Sequence, residues 1–122
     1  MKRALITGVT GQDGAYLAQF LLKKGYTVFG TYRRQSSGNF WRLHYLDIFD
    51  KIKLVSADIL DSTSLYRALE ISNPSEIYHL AAQSFVGASF NQPLYTSDVT
   101  GFGTLRILDE ILKFNKKIKF YQ

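Results

Sequence analysis

Gly8, Gly11 and Gly14 stand in G-x-x-G-x-x-G spacing directly after the apolar run Ala4-Leu5-Ile6. Between a strand and a helix this spacing suits a diphosphate. One glycine makes a tight turn, one lets backbone approach the phosphates, and one lets helix pack closely on strand. The helix N-terminus adds unpaired N–H groups and a partial positive charge. A chain with nine glycines can also produce the spacing in an ordinary turn, so the strand-turn-helix context carries the reading.

About 20 residues beyond such a turn, sites that prefer NAD place an acidic side chain for the adenosine ribose. Here that place holds Thr31-Tyr32-Arg33-Arg34. Two guanidinium groups, with Gln35 and Ser36 as neutral donors, suit a 2′-phosphate, so the cofactor implied is NADP. A solvated basic loop is the alternative. Asp58 can accept from an adenine amino group or cap a helix, although Asp61 is the better cap. The small residues of Leu80-Ala81-Ala82 let backbone run close to a cofactor, and they equally permit strand-helix packing.

Positioning these residues takes alternating strands and helices. Arg3 to Thr7 reads as a buried strand, followed by a helix whose Gly14, Leu17, Ala18, Leu21 and Leu22 form one apolar stripe that Gly25 ends. Tyr26 to Thr31 and Lys51 to Ser56 are the second and third strands. A helix begins near Asp61 or Ser62, carries Leu65, Ala68 and Leu69 inward, and stops before Pro74. Glu76 to Leu80 is the fourth strand. A helix from about Thr100 to Phe114 shows Leu105, Leu108 and Leu112 on one side, and Ile118 to Tyr121 opens a fifth strand. Arg33 to Tyr45 reads as one long polar loop and Ser84 to Ser97 as a second irregular stretch.

Such alternation requires parallel crossovers and therefore an α/β, doubly wound, Rossmann-type sheet. The expected strand order is third, second, first, fourth, fifth, with a ligand crevice beside the first strand. At 122 residues the chain is expected to be one NADP-binding domain, residues 1–122, cut before a catalytic segment and a substrate domain.

Composition excludes several other functions. With no cysteine, the chain builds no disulfide framework, zinc cluster or thiol nucleophile. No segment has signal-peptide or membrane-spanning character, which points to the cytoplasm and to no membrane partner. The net charge of +5 raises nucleic acid, but Lys113, Lys116, Lys117 and Lys119 fall at a helix end, where cations offset exposed carbonyls. Phe114 is the one aromatic side chain among those lysines, short of a stacking platform for successive bases, so no nucleic-acid partner is expected. His79 reads as a satisfied core residue and His44 as a surface one; no metal site is assigned.

With these residues placed, the chain resembles the extended short-chain dehydrogenases, and within them the GDP-mannose 4,6-dehydratases. The matches are Leu5-Ile6-Thr7-Gly8-Val9-Thr10-Gly11-Gln12-Asp13-Gly14, Tyr32-Arg33-Arg34, Leu80-Ala81-Ala82-Gln83-Ser84, Tyr95-Thr96, Asp98-Val99 and Gly103-Thr104-Leu105. Gln12-Asp13 and Ala81-Ala82-Gln83-Ser84 are more specific than the glycines and separate this family from general sugar epimerases. The resemblance implies that Gly8 to Gly14, Arg33, Arg34, Gln35, Ser36, Asp58, Ile59, Leu80, Ala81, Ala82, Gln83, Ser84 and Tyr95 contact NADP. It also implies that Ser84 and Val86 face the sugar of a nucleotide sugar such as GDP-mannose. The Arg33 to Trp41 segment resembles one that crosses a subunit contact in family tetramers. Phe40 and Trp41 are therefore candidates for a homo-oligomer interface, with packing inside the monomer as the other reading. Gln35 stands where a serine is common, and His79 where an asparagine is common.

The family reaction oxidises the sugar at C4, eliminates water across C5 and C6, and returns the same hydride to C6. Its base is a tyrosine followed four residues later by lysine. None of Tyr16, Tyr26, Tyr32, Tyr45, Tyr66, Tyr78 or Tyr95 has lysine at that spacing, and Tyr121 is too near the end. The family's threonine and glutamate for elimination are expected beyond Gln122, so these 122 residues are assigned no catalytic residue. The remaining alternatives are a nucleotide-sugar reductase or epimerase, and a non-catalytic NADP-binding module.

Overall fold

The computed structural model describes residues 2–33, 40–81 and 102–122. Its strands are β1 (Arg3–Thr7), β2 (Thr27–Tyr32), β3 (Lys53–Ser56), β4 (Glu76–His79) and β5 (Lys119–Tyr121). The helices among these residues are α1 (Gln12–Lys23), α2 (Trp41–Tyr45), α3 (Ser62–Ser72) and α4 (Gly103–Phe114), with a 3₁₀ turn at Phe49–Lys51. The strands form one sheet in the order β3-β2-β1-β4-β5, and every pairing is parallel. The expected Rossmann-type α/β sheet and strand order are both present.

β1 is central, and its alternation explains the two layers. Ala4 and Ile6 point to one face, where they pack with Val9, Ala15, Ala18 and Leu21 beneath α1. Leu5 points to the other face, among Phe29, Leu65, Leu69, Ile77, Ile107 and Ile111 beneath α3 and α4. A strand buried on both faces must be apolar throughout, as Ala4-Leu5-Ile6 is. α3 begins as expected, with Asp61 Oδ1 accepting from the Thr63 N–H at 3.1 Å. It ends at Asn73 in the left-handed conformation, immediately before Pro74.

Two expectations are corrected. The Arg33 to Tyr45 segment is not a loop throughout, because α2 occupies its last residues. Leu43 is fully buried, and Phe40 meets the rings of Tyr32 and Phe49 at centroid distances of 5.1 and 5.4 Å. Phe40 therefore packs within the monomer, whereas Trp41 is 58% exposed. The second correction concerns α4. Leu105 and Leu112 lie on its outer side, 60% and 62% exposed, while Gly103, Ile107, Glu110 and Ile111 face inward. No helix of the described residues is long and apolar enough to cross a membrane.

At the end of the sheet away from the glycine turn, Glu76 is buried and accepts from Tyr78 Oη at 2.6 Å and Tyr26 Oη at 2.9 Å. Lys2 lies 3.8 Å from the same carboxylate. The Tyr78 hydrogen bond is the largest cause holding Glu76 below its ordinary value of 4.5, against the opposing effect of burial. A carboxyl whose folded value is lowered stabilises the fold above its ordinary value, and that stability is lost as pH falls through the folded value. Denaturant midpoints are thus expected to fall steeply below about pH 4.5 in the natural protein, and less steeply in Glu76→Gln. Parallel pH profiles for the two proteins would count against this role.

Candidate functional site

The strand order reverses at β1, so the crevice lies between the C-terminal ends of β1 and β4. Thr7 ends β1 and His79 ends β4, and the two residues are in register. Thr7 Oγ1 lies 2.8 Å from His79 Nδ1 and also accepts from the N–H groups of Leu80 at 3.0 Å and Ala81 at 3.2 Å. With two donors already pointing at it, the hydroxyl directs its own proton to Nδ1. His79 is then the neutral tautomer carrying hydrogen on Nε2. Burial lowers the His79 pKa, consistent with a neutral ring. His79 is therefore the satisfied core residue expected from sequence, and His44 is exposed.

The glycines have separate causes. Gly8 has φ +73°, and a Cβ there would sit 3.0 Å from both Ala81 N and Cα, so β1 and β4 meet too closely for any side chain. A Cβ on Gly14 would lie 2.5 Å from the Gly8 carbonyl oxygen, which makes Gly14 the position where helix packs on turn. Gly11 differs from both. Its backbone (φ −74°, ψ 171°) suits any residue, and among the described residues a Cβ would meet only the Gly8 oxygen at an ordinary 3.5 Å. Among the described residues neither packing nor conformation requires glycine here, an arrangement that suits close approach of a group from outside.

The same place supplies donors. Gly11 caps α1 with no side-chain hydrogen bond, and Ala15 N–H is the first amide of the helix to bond back, to Gly11 O at 3.0 Å. Among the described residues the amides of Gln12, Asp13 and Gly14 have no acceptor. This open cradle, with its positive helix end, fits an anionic phosphate.

The other assigned residues divide three ways. Val9 and Ile59 are buried in the core, so only their backbone can face a ligand. Thr10 is half-buried, Gln12, Asp13 and Arg33 are exposed, and Leu80 and Ala81 line the end of β4. Asp58 closes a local turn through Oδ1, which accepts from the Leu60 N–H at 3.0 Å, so helix capping falls to Asp61. Arg34, Gln35, Ser36, Ala82, Gln83, Ser84, Val86 and Tyr95 lie outside the described residues, as does the irregular stretch from Ser84 to Ser97.

Sequence reasoning missed Arg42. Its Nη1 donates to Thr10 O at 3.1 Å, inside the glycine turn, and its guanidinium carbon lies 4.5 Å from the Trp41 ring centroid. An arginine flanked by Trp41 and the buried Leu43 in a segment read as polar was the available signal.

A family model described as GDP-mannose 4,6 dehydratase matches residues 5–122. The chain is 51% identical to a GDP-mannose 4,6-dehydratase of Vibrio cholerae, over 99% of this chain and 34% of that protein. It thus spans about a third of the length of that relative. The fold superposes on UDP-glucose 4-epimerase of Thermotoga maritima, solved with UDP-glucose, at TM-score 0.81 and 27% identity, covering 96% of this chain and 36% of that one. It also superposes on UDP-glucose 4-epimerase of Brucella ovis, solved in complex with NAD, at TM-score 0.75 and 26% identity, covering 91% of this chain and 32% of that one. A match that runs from the middle of β1 to the last residue takes in the phosphate cradle, the crevice and every described element after them, and the chain belongs to the GDP-mannose 4,6 dehydratase family.

Proposed function

We propose that residues 1–122 are the NADP-binding domain of a GDP-mannose 4,6-dehydratase, a lyase that converts GDP-mannose to GDP-4-keto-6-deoxymannose. The observation that carries this is Gly11, a glycine that packing among the described residues does not require, beside three amides that find no acceptor among those residues. The Brucella ovis epimerase and its NAD support a nicotinamide dinucleotide at this crevice.

In this reading the amides of Gln12, Asp13 and Gly14 hold the diphosphate, and Arg33 and Arg34 with Gln35 and Ser36 hold the adenosine 2′-phosphate. Asp58 Oδ2, which accepts from none of the described residues, takes the adenine amino group, beside the backbone of Ile59. Leu80, Ala81, Ala82, Gln83, Ser84 and Tyr95 are assigned to contacts with the same dinucleotide, and Ser84 and Val86 to the sugar. The bound dinucleotide supplies a hydride acceptor that is regenerated within each turnover, so tight retention suits it better than exchange. The proton-transfer and elimination groups belong to the rest of the full-length protein, which is cytoplasmic and a homo-oligomer.

The test is the full-length protein with GDP-mannose and UDP-glucose. Formation of the 4-keto-6-deoxy product from GDP-mannose, with retained NADP and no epimerised UDP-sugar, is the expected result. Epimerisation of UDP-glucose without dehydration would move the protein to the activity of its structural neighbours. The chain of residues 1–122 alone is expected to bind NADPH weakly and to form no product.

A further inference from the structure

We infer that Gly30, inside β2, is a positioning residue for the dinucleotide: by carrying no side chain it seats Val9, and so fixes where the phosphate-binding turn stands on the sheet. The inference rests on the dinucleotide reading of that turn and extends it to a residue outside the assigned set.

Gly30 pairs with Ile6 on one side and Leu54 on the other, in strand backbone without a positive φ, which any residue adopts. A glycine inside a strand loosens it and gives its neighbours nothing to pack on, so a close approach must be sought there. That approach is made by Val9. A Cβ on Gly30 would lie 2.5 Å from Val9 Cγ1, 2.6 Å from its Cβ and 2.8 Å from its Cγ2. No rotation of a valine moves its own Cβ, so the Val9 backbone would have to retreat.

Val9 cannot retreat without taking the turn along. It is fully buried, and its N–H donates to Thr31 O at 3.2 Å, one bond beyond the last paired residues of β1 and β2. Its Cα lies against the start of α1, where a Cβ on Gly14 would come within 2.9 Å. Gly11 N–H donates to Gly8 O at 3.2 Å and Ala15 N–H to Gly11 O at 3.0 Å, so the turn and the first helical residues form one hydrogen-bonded unit. Opening a 2.5 Å contact to an ordinary 3.4 Å displaces that unit by about 1 Å, a misplacement that can cost a bound group about a hundredfold. The amides of Gln12, Asp13 and Gly14 travel with it.

The test uses the full-length protein freed of nucleotide, with NADPH titration and thermal melting. Gly30→Ala is expected to weaken NADPH binding about tenfold or more. Adding Val9→Gly removes all three crowding carbons and is expected to recover most of that affinity. The melting temperature of this double variant stays at or below that of Gly30→Ala, because a buried side chain is deleted. A glycine with only a structural role would give the opposite order, with affinity following stability. Gly30→Ala that binds as the natural protein does, or a folded double variant that binds no better than Gly30→Ala, would overturn the inference. If Gly30→Ala does not fold, the double variant is compared with the natural protein: a loss of less than about tenfold supports the inference, and a larger one overturns it. A natural protein that binds no nicotinamide dinucleotide overturns the dinucleotide reading itself. If the natural protein and Gly30→Ala bind NADPH alike, only the assignment of Gly30 fails.

Discussion

Gly11→Ala is expected to lose nucleotide affinity by about 30-fold or more while its melting temperature moves by only a few degrees. The asymmetry follows from where the methyl group goes. Among the described residues it meets one oxygen at 3.5 Å, an ordinary contact, and the backbone angles already suit alanine. Glycine is preferred to alanine at a helix N-cap, and the exchange costs about 1 kcal/mol here, small beside the loss expected in binding. On the ligand side the methyl stands where a phosphate must approach the amides of α1. Displacing one charge-assisted hydrogen bond costs about 2 kcal/mol, and the factor of about 30 is that figure restated. Gly14→Ala is the control. Its Cβ falls 2.5 Å from a carbonyl oxygen and 2.9 Å from Val9 Cα, so the turn itself must shift. It is expected to destabilise the fold by about 1–3 kcal/mol, with binding lost as a consequence. Calorimetry and NADPH titration on both variants separate the cases. A Gly11→Ala protein that melts early, or binds normally, would remove the phosphate role from that position.

The parts of this fold that sequence made legible are those where one local cause decides. The Ala4-Leu5-Ile6 run could only be a strand buried on both faces, and it is the centre of the sheet. Asp61 before Ser62 could be recognised as a cap because the carboxylate needs only the next two residues to act. Longer-range causes were harder to read. Leu105, Leu108 and Leu112 do share one side of α4, but leucine spacing alone cannot say which of two apolar sides meets the sheet. Ile107 and Ile111 fill that place because Ile77 and Leu5 form the surface beneath. α2 was hidden for a related reason. Five residues carry too little periodicity to announce a helix, and this one is held by Leu43 and by the rings of Phe40, Tyr32 and Phe49.

The site shows the same division. Gly8, Gly11 and Gly14 were legible from spacing, and the structure separates their causes: strand approach at Gly8, helix packing at Gly14, and neither at Gly11 among the described residues. Thr7 and His79, 72 residues apart, could not be paired from sequence, nor Arg42 with Thr10, because each contact depends on which strands become neighbours. The floor of the crevice is thus set by topology, while its rim was written in local motifs.

Thr7→Val is expected to destabilise the protein by about 2–4 kcal/mol, a large share of the roughly 5–15 kcal/mol available to a domain. Valine copies the shape of threonine and deletes one oxygen, so the cost isolates that oxygen's partners. Leu80 N–H keeps a second acceptor, the Thr7 carbonyl at 3.2 Å. Ala81 N–H and His79 Nδ1 keep none among the described residues, and each unpaired group buried by the substitution costs about 1–3 kcal/mol. Thr7→Ser retains the oxygen and is expected to recover most of the loss. The pH dependence follows from His79, whose pKa burial lowers. A histidine with a lowered folded value stabilises the fold above its ordinary 6.5, and that stability declines as pH falls through the folded value. Protonation puts hydrogen on Nδ1, where it opposes the Thr7 hydroxyl proton and frees the hydroxyl from holding Leu80 and Ala81 beneath Gly8. Acid is therefore expected to weaken nucleotide binding in the natural protein and in Thr7→Ser, through loss of the β1–β4 junction rather than through the phosphate contacts. Denaturant unfolding near neutral pH and NADPH titration through the histidine range test both statements. A Thr7→Val protein as stable as the natural one would show that the oxygen does not hold the two strand ends together.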